Sequence, residues 1–227
     1  MAAAGRRLHG LRLVAATDGN LSARLPGGGW LVTPAGCCLG ELRPADLLLV
    51  EVVALDATEA SAGATAEQVR EAAGRSDQGG RAATPAAAAR PTSEWALHLA
   101  AYGERPDIGA VVHAHPPLAT ALTVAGLALD APVLPEVVVL LGSIPTAPYA
   151  TPSSPEGAAA IRPLIRRHDA LLLDRHGAVT VGATLRQACL RMEKLEHCAR
   201  IVAAAHQLGR VQRLTGEQVR RLEELRP

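Results

Sequence analysis

Residues 108–117 read IGAVVHAHPP: a short apolar run, two histidines one residue apart, then two prolines. The apolar run predicts a strand over Ile108–His113. His115-Pro116-Pro117 ends it, because proline has no N–H for the ladder, and a proline at a first helical position suits a new helix through Val124. Just upstream, Thr92-Ser93-Glu94 predicts a helix start: a hydroxyl cap, an acid in the first turn, then Leu97 and Ala101 on one face. Helix, strand and helix thus follow one another around His113.

The same alternation extends both ways. Residues 5–14 predict a short helix running into a Thr17-Asp18-Gly19-Asn20 turn. Leu21–Leu25 and Trp30–Thr33 predict a hairpin around Pro26-Gly27-Gly28-Gly29, and Leu47–Leu55 is of strand length. Downstream, Val137–Leu141 and Ile144–Ala147 predict two strands around Gly142-Ser143. Pro155–Arg167 predicts a helix, Ala170–Leu173 and Ala178–Val181 predict strands around Arg175-His176-Gly177, and Thr184 caps a long helix to Leu208. Interleaved helices and short strands with hairpin-like joints define a layered α/β domain with a largely antiparallel sheet. Residues 1–227 are expected to form this single domain. Between Ala57 and Arg90 the chain is rich in alanine, with Gly, Ser, Thr and Pro among it and few large apolar side chains, so a flexible insertion is expected there.

Composition removes several function classes. Lys+Arg 23 against Asp+Glu 22 gives a net charge of +1, and aromatics are 2% with no Phe. Neither a polyanion-binding surface nor a base-stacking platform follows, so no nucleic-acid partner is expected. No apolar run approaches the ~20 residues of a spanning helix, and no signal peptide is read, so no membrane partner is expected. Cys37, Cys38, Cys189 and Cys198 form no CxxC pair; they are expected to be reduced, and the location cytoplasmic.

His113 and His115, two apart on a strand, point to one face and can reach one metal ion. Alone, the pair is equally compatible with two unrelated turn histidines. His176, before Gly177 in a second strand–turn setting, is a third candidate ligand. His98, His168, His197 and His206 fall in predicted helices and read as structural, in partly exposed settings. Glu94 reads either as an acid complementing the helix dipole or as a general base beside a metal-polarised carbonyl. Gly19-Asn20-Leu21-Ser22 and Thr33-Pro34-Ala35-Gly36 are small polar turns, able to present N–H groups to an anion or to serve only as turns.

In order, Gly19–Ser22, Thr33–Gly36, Pro91–Glu94, Val111–Pro117 and Asp174–Gly182 resemble the motifs of the class II aldolase and adducin-head family, especially its L-fuculose-1-phosphate aldolase branch. The resemblance runs from about Asp18 to about Gln207. It implies a three-layer α/β/α fold around a mixed, mostly antiparallel sheet. It also implies a divalent metal, zinc or alternatively manganese or cobalt, on His113, His115 and His176, with Glu94 as the base and as a further ligand at rest. Gly19, Asn20, Gly36, Thr92 and Ser93 fall on phosphate-binding positions. The implied reaction cleaves a ketose 1-phosphate, such as L-fuculose 1-phosphate or a 5-deoxyribulose 1-phosphate, to dihydroxyacetone phosphate and an aldehyde. Alternatives within the family are a methylthioribulose-1-phosphate dehydratase and a decarboxylase of a phosphorylated keto acid. The epimerase branch has Asp where Glu94 stands, and the adducin branch lacks the histidine set. The resemblance further implies a homotetramer with sites at subunit boundaries. The chain departs from the pattern at Ala35, where a hydroxyl is usual, and at Leu134 and its neighbours, where a tyrosine proton donor is usual. Glu136 is the nearest ionisable substitute and Tyr149 the next. No aromatic in Arg210–Pro227 could close over a substrate.

Overall fold

The computed structural model describes residues 1–51 and 89–226. Its secondary structure runs α1 (Ala2–Gly10), β1 (Asn20–Arg24), β2 (Trp30–Val32), β3 (Leu48–Val50), α2 (Trp95–Glu104), β4 (Ala110–Ala114) and α3 (Pro117–Val124). It continues with α4 (Pro135–Leu140), β5 (Thr146–Ala147), α5 (Pro155–Ile165), β6 (Ala170–Leu173), β7 (Gly177–Gly182), α6 (Leu185–Leu208) and α7 (Gly216–Glu223). The strands form one seven-stranded sheet in the order β3-β2-β1-β4-β7-β6-β5. Every pairing is antiparallel except β5 with β6.

Strand alternation sorts the core into two layers. Leu21, Ala110, Val112, Ala114, Ala170, Leu172 and Ala178 face one side and pack with apolar residues of α1, α3, α4 and α6. Val111, Leu171, Leu173, Val179 and Val181 face the other and pack with α2 and α5. The result is the three-layer α/β/α arrangement, with a mixed, mostly antiparallel sheet between helical layers.

Three local expectations change. Val137–Leu141 is not a strand: Pro135 occupies the first turn of α4, and Gly142, at φ +75°, lies just beyond its C-cap. Proline at the start and a left-handed glycine after the end outweigh the strand preference of three valines. Glu136 therefore sits in a helical first turn, not at a strand start. The tail also holds the unforeseen α7, whose Thr215 and Gln218 form a reciprocal capping box. The hairpin of β1 and β2, the Thr184 cap and the span of α6 match expectation. The expected insertion, apart from Ala89 and Arg90, and the second half of the Leu47–Leu55 strand lie outside the described residues.

Candidate metal centre

Two central antiparallel strands build the site. β4 and β7 pair with His113 opposite Val179 and Ala114 opposite Ala178, so the turn before β7 lies beside the end of β4. His113 and His115 come from the end of β4, His176 from the turn before β7, and Glu94 from the N-cap of α2. One ligand atom from each of the four lies within 4.8 Å of all the others. The three imidazole rings form a near-equilateral triangle, with centroids 4.9, 4.8 and 4.8 Å apart. Gly177 makes this convergence feasible: a Cβ there would collide with the Ala114 carbonyl oxygen and lie 2.8 Å from the His115 ring.

Glu94 does not act as a capping acid for its helix. Its backbone N–H bonds the Thr92 hydroxyl at 3.3 Å, while its carboxylate turns into the site. There Oε2 lies 3.0 Å from His113 Nε2, and Oε1 lies 3.5 Å from His176 Nε2. Asn20 Nδ2 donates to Oε2 at 2.9 Å. His113 is fully buried, and its Nδ1 donates to the Ala178 carbonyl at 3.0 Å. That bond places the proton on Nδ1 and leaves Nε2 as the ligating atom. His115 Nδ1 faces Asp18 Oδ2 at 3.4 Å.

The donor set suits a divalent cation. His115 Nε2 and His113 Nε2 face each other at 3.0 Å. Two ring nitrogens at that separation repel unless a proton or a cation lies between them. Three imidazoles and one carboxylate form a recognised ligand set for zinc and its neighbours in the first transition row. The electrostatics agree. Burial alone would raise the Glu94 carboxyl, but His113, the Asn20 amide and His176 hold it far below the usual carboxylate range. Burial would depress His113, yet the Glu94 carboxylate, with the Ala178 carbonyl and Asp18, outweighs this and raises it. Burial, reinforced by His113, lowers His115 and brings His176 down to about 4.

Beside this cluster lies a cavity of about 200 Å³ lined by Gly19, Asn20, Ala35, Gly36, Thr92, Ser93, Glu94, His115, Ser153 and His176, among others. All five residues expected at a phosphate are thus brought to one wall. Gly19 and Gly36 have φ of +75° and +70°, a conformation glycine adopts without strain. Asn20, however, uses its side chain on Glu94 and His98. Ser153, which the sequence reading did not single out, donates to Ser93 Oγ at 2.8 Å. Glu136 is exposed and absent from this wall. His98 departs from the expected half-exposed setting: it is fully buried behind Asn20.

A seven-stranded α/β sandwich carrying a convergent His₃Glu centre beside a polar cavity defines a metal-site protein of the class II aldolase type. Residues 1–203 match the Class II Aldolase and Adducin N-terminal domain, and the chain belongs to that family of metal-dependent lyases. It is 33% identical over 189 residues to a 3-oxo-tetronate 4-phosphate decarboxylase of Escherichia coli (strain K12), covering 81% of this chain and 75% of that protein. It is 29% identical over 223 residues to a 5-methylthioribulose-1-phosphate/5-deoxyribulose-1-phosphate aldolase of Rhodospirillum rubrum, covering 97% of this chain and 86% of that one. The crystal structure of L-fuculose-1-phosphate aldolase from Thermus thermophilus superposes with a TM-score of 0.69 at 28% identity, covering 91% of this chain and 92% of that one. Among the described residues, no helix is long and apolar enough to cross a membrane.

Proposed function

We propose that this chain is a zinc-dependent carbon–carbon lyase that releases dihydroxyacetone phosphate from a phosphorylated substrate with a carbonyl next to the broken bond. The observation that carries the reading is the convergence of His113, His115, His176 and Glu94 beside a cavity walled by Gly19, Gly36, Thr92 and Ser93. A divalent cation on the imidazoles supplies a Lewis acid for the substrate oxygens. Backbone N–H groups at Gly19 and Gly36, with the Thr92 and Ser93 hydroxyls, receive the phosphate. Glu94, ionised and 10% exposed at its side chain, delivers a proton to the carbon that has lost its bond; that proton comes from solvent when carbon dioxide leaves, and from the departing hydroxyl, by way of a second group, when an aldehyde leaves. Manganese or cobalt could occupy the same donors.

Two bond cleavages give that product. A ketose 1-phosphate loses an aldehyde, the reaction implied by the fuculose-phosphate branch. A 3-oxo-tetronate 4-phosphate loses carbon dioxide. One feature favours the second: aldehyde release needs a group to move the proton of the departing hydroxyl, whereas carbon dioxide leaves without one. Val133 and Leu134 are apolar and half-buried where a phenol is usual. Should an aldehyde be released, Glu136 of a neighbouring subunit is the group we assign to take the proton of the departing hydroxyl, with Tyr149 next. This reading includes a homotetramer with shared sites. The four free thiols support a cytoplasmic location.

The test is release of dihydroxyacetone phosphate by the zinc-loaded protein from a panel of ketose 1-phosphates and from 3-oxo-tetronate 4-phosphate. Co-release of aldehyde or carbon dioxide assigns the bond. No release from any of them would overturn the proposal.

A further inference from the structure

Behind Glu94, a ladder of hydrogen bonds runs into the core. Glu94 at the N-cap of α2, then His98 and Tyr102 within it, are spaced four residues apart; Asn20 and Ser22 are two apart on β1. Four helical residues rise about 6 Å and two strand residues about 6.7 Å, so the two rows interleave. Asn20 bridges Glu94 and His98, with Nδ2 to Glu94 Oε2 at 2.9 Å and Oδ1 to His98 Nε2 at 2.6 Å. Ser22 bridges His98 and Tyr102, with Oγ 2.6 Å from His98 Nδ1 and 2.9 Å from the phenol oxygen. Asn20, Ser22, His98 and Tyr102 are all buried.

Donor and acceptor chemistry gives the ladder one direction. A carboxylate only accepts, so Asn20 must turn its amide nitrogen to Glu94. Its carbonyl then faces His98 and accepts from an Nε2–H. The neutral ring has a bare Nδ1, which takes the Ser22 hydroxyl proton, and the Ser22 oxygen accepts from Tyr102. The ring is fully buried, which disfavours its charged form. Both ring nitrogens are engaged, so the imidazole cannot flip, and neither can the amide it holds. A flipped Asn20 would set a carbonyl oxygen against the carboxylate.

We propose that His98 is a positioning residue that, through Asn20, fixes Glu94 against the metal centre. The kinetic part of the proposal rests on Glu94 as the proton-moving group; the structural part does not. Ring nitrogen NMR on the metal-free protein should show His98 as the Nε2–H tautomer at neutral pH. Ser22→Ala should give mixed tautomers. Ser22→Ala and His98→Leu should each weaken zinc binding and lower kcat by about 10-fold or more, with KM little changed. His98→Gln, whose amide can donate as Nε2–H does, should recover most of both. A neutral His98 that carries its proton on Nδ1 in the parent protein would overturn the proposal. So would zinc affinity and kcat within about twofold of the parent in Ser22→Ala. Should His98→Leu fail to fold, Ser22→Ala and His98→Gln decide alone. Should no phosphorylated substrate be turned over, the proposed function fails, while tautomer and zinc affinity still decide the ladder.

Discussion

Glu94 is held between His113, His176 and Asn20, and its carboxylate is ionised before substrate arrives. Glu94→Gln retains the shape and the Asn20 contact but cannot take up a proton. It should lower turnover by roughly 10²–10⁴ while the three imidazoles still retain metal, measured as kcat beside metal content. The imidazoles also govern stability in the metal-free protein. His98, His115 and His176 are depressed in the fold and His113 is raised. A depressed histidine binds its proton more readily when unfolded, so its contribution is complete above the unfolded value of 6.5 and is lost as pH falls toward its folded value. His113 acts in the opposite sense, so the His98 contribution is read by difference, against a variant that removes this depressed ring. Metal-free protein should lose stability as pH falls from 6.5 toward about 4, and His98→Gln should show a shallower loss in denaturant midpoints. A loss as steep in His98→Gln as in the parent would contradict the assignment. At this scale the two-residue spacing of His113 and His115 was readable because strand geometry alone brings them to one face. His98 was missed, although Glu94, His98 and Tyr102, four apart in a segment otherwise rich in Ala and Leu, carried the signal. No periodicity could show that Asn20 turns inward, since its partners lie on a distant helix.

The elements around the site meet at contacts with little room for change. Gly177 lets β7 press against the end of β4, and a Cβ there would meet backbone that cannot yield cheaply. Gly177→Ala should displace the His115 turn, destabilise the fold by about 2 kcal/mol or more and weaken metal binding; a chelator-competition titration beside a denaturation curve reads both. Glu196, 2% exposed on α6, accepts from the N–H groups of Leu118 and Ala119 at 3.3 and 3.0 Å and pairs with Arg200. It caps α3 directly after the histidine pair. Glu196→Ala should cost about 1–3 kcal/mol, because buried amides lose their acceptor, and Glu196→Gln should cost less. Caps formed by neighbouring residues were readable, as at Thr184, whereas this one spans more than seventy residues and left no local pattern. The α4 helix shows the converse: local valine preference was plain, and Pro135, Gly142 and the buried Val137, Val138 and Leu141 overrode it.

Across the whole molecule, the alternation of helices and strands was enough to read a layered α/β domain, while the three layers followed from the family resemblance and the sheet order depends on pairings such as β4 with β7 across the chain. The apolar face around α4 remains open in one chain: Leu140 is 47% exposed, and Leu11 and Leu190 join it around a groove of about 650 Å³. A homotetramer should appear in light scattering as four times the chain mass. Within it Glu136→Gln should cut aldehyde release by roughly 10²–10⁴ if the neighbour takes the proton of the departing hydroxyl. A monomer with full activity would remove the neighbour from the chemistry. We propose that four side chains from the end of β4, the turn before β7 and the start of α2 hold one divalent cation on which turnover depends. The most direct measurement is elemental analysis of purified protein, in parallel with His176→Ala. About one divalent metal ion per chain is expected, with Zn–N distances of about 2.0–2.1 Å by X-ray absorption for the zinc form, and loss of both ion and turnover in the variant. A parent protein that neither contains nor takes up a divalent metal, or a His176→Ala variant that binds it as tightly and turns over as fast, would contradict it.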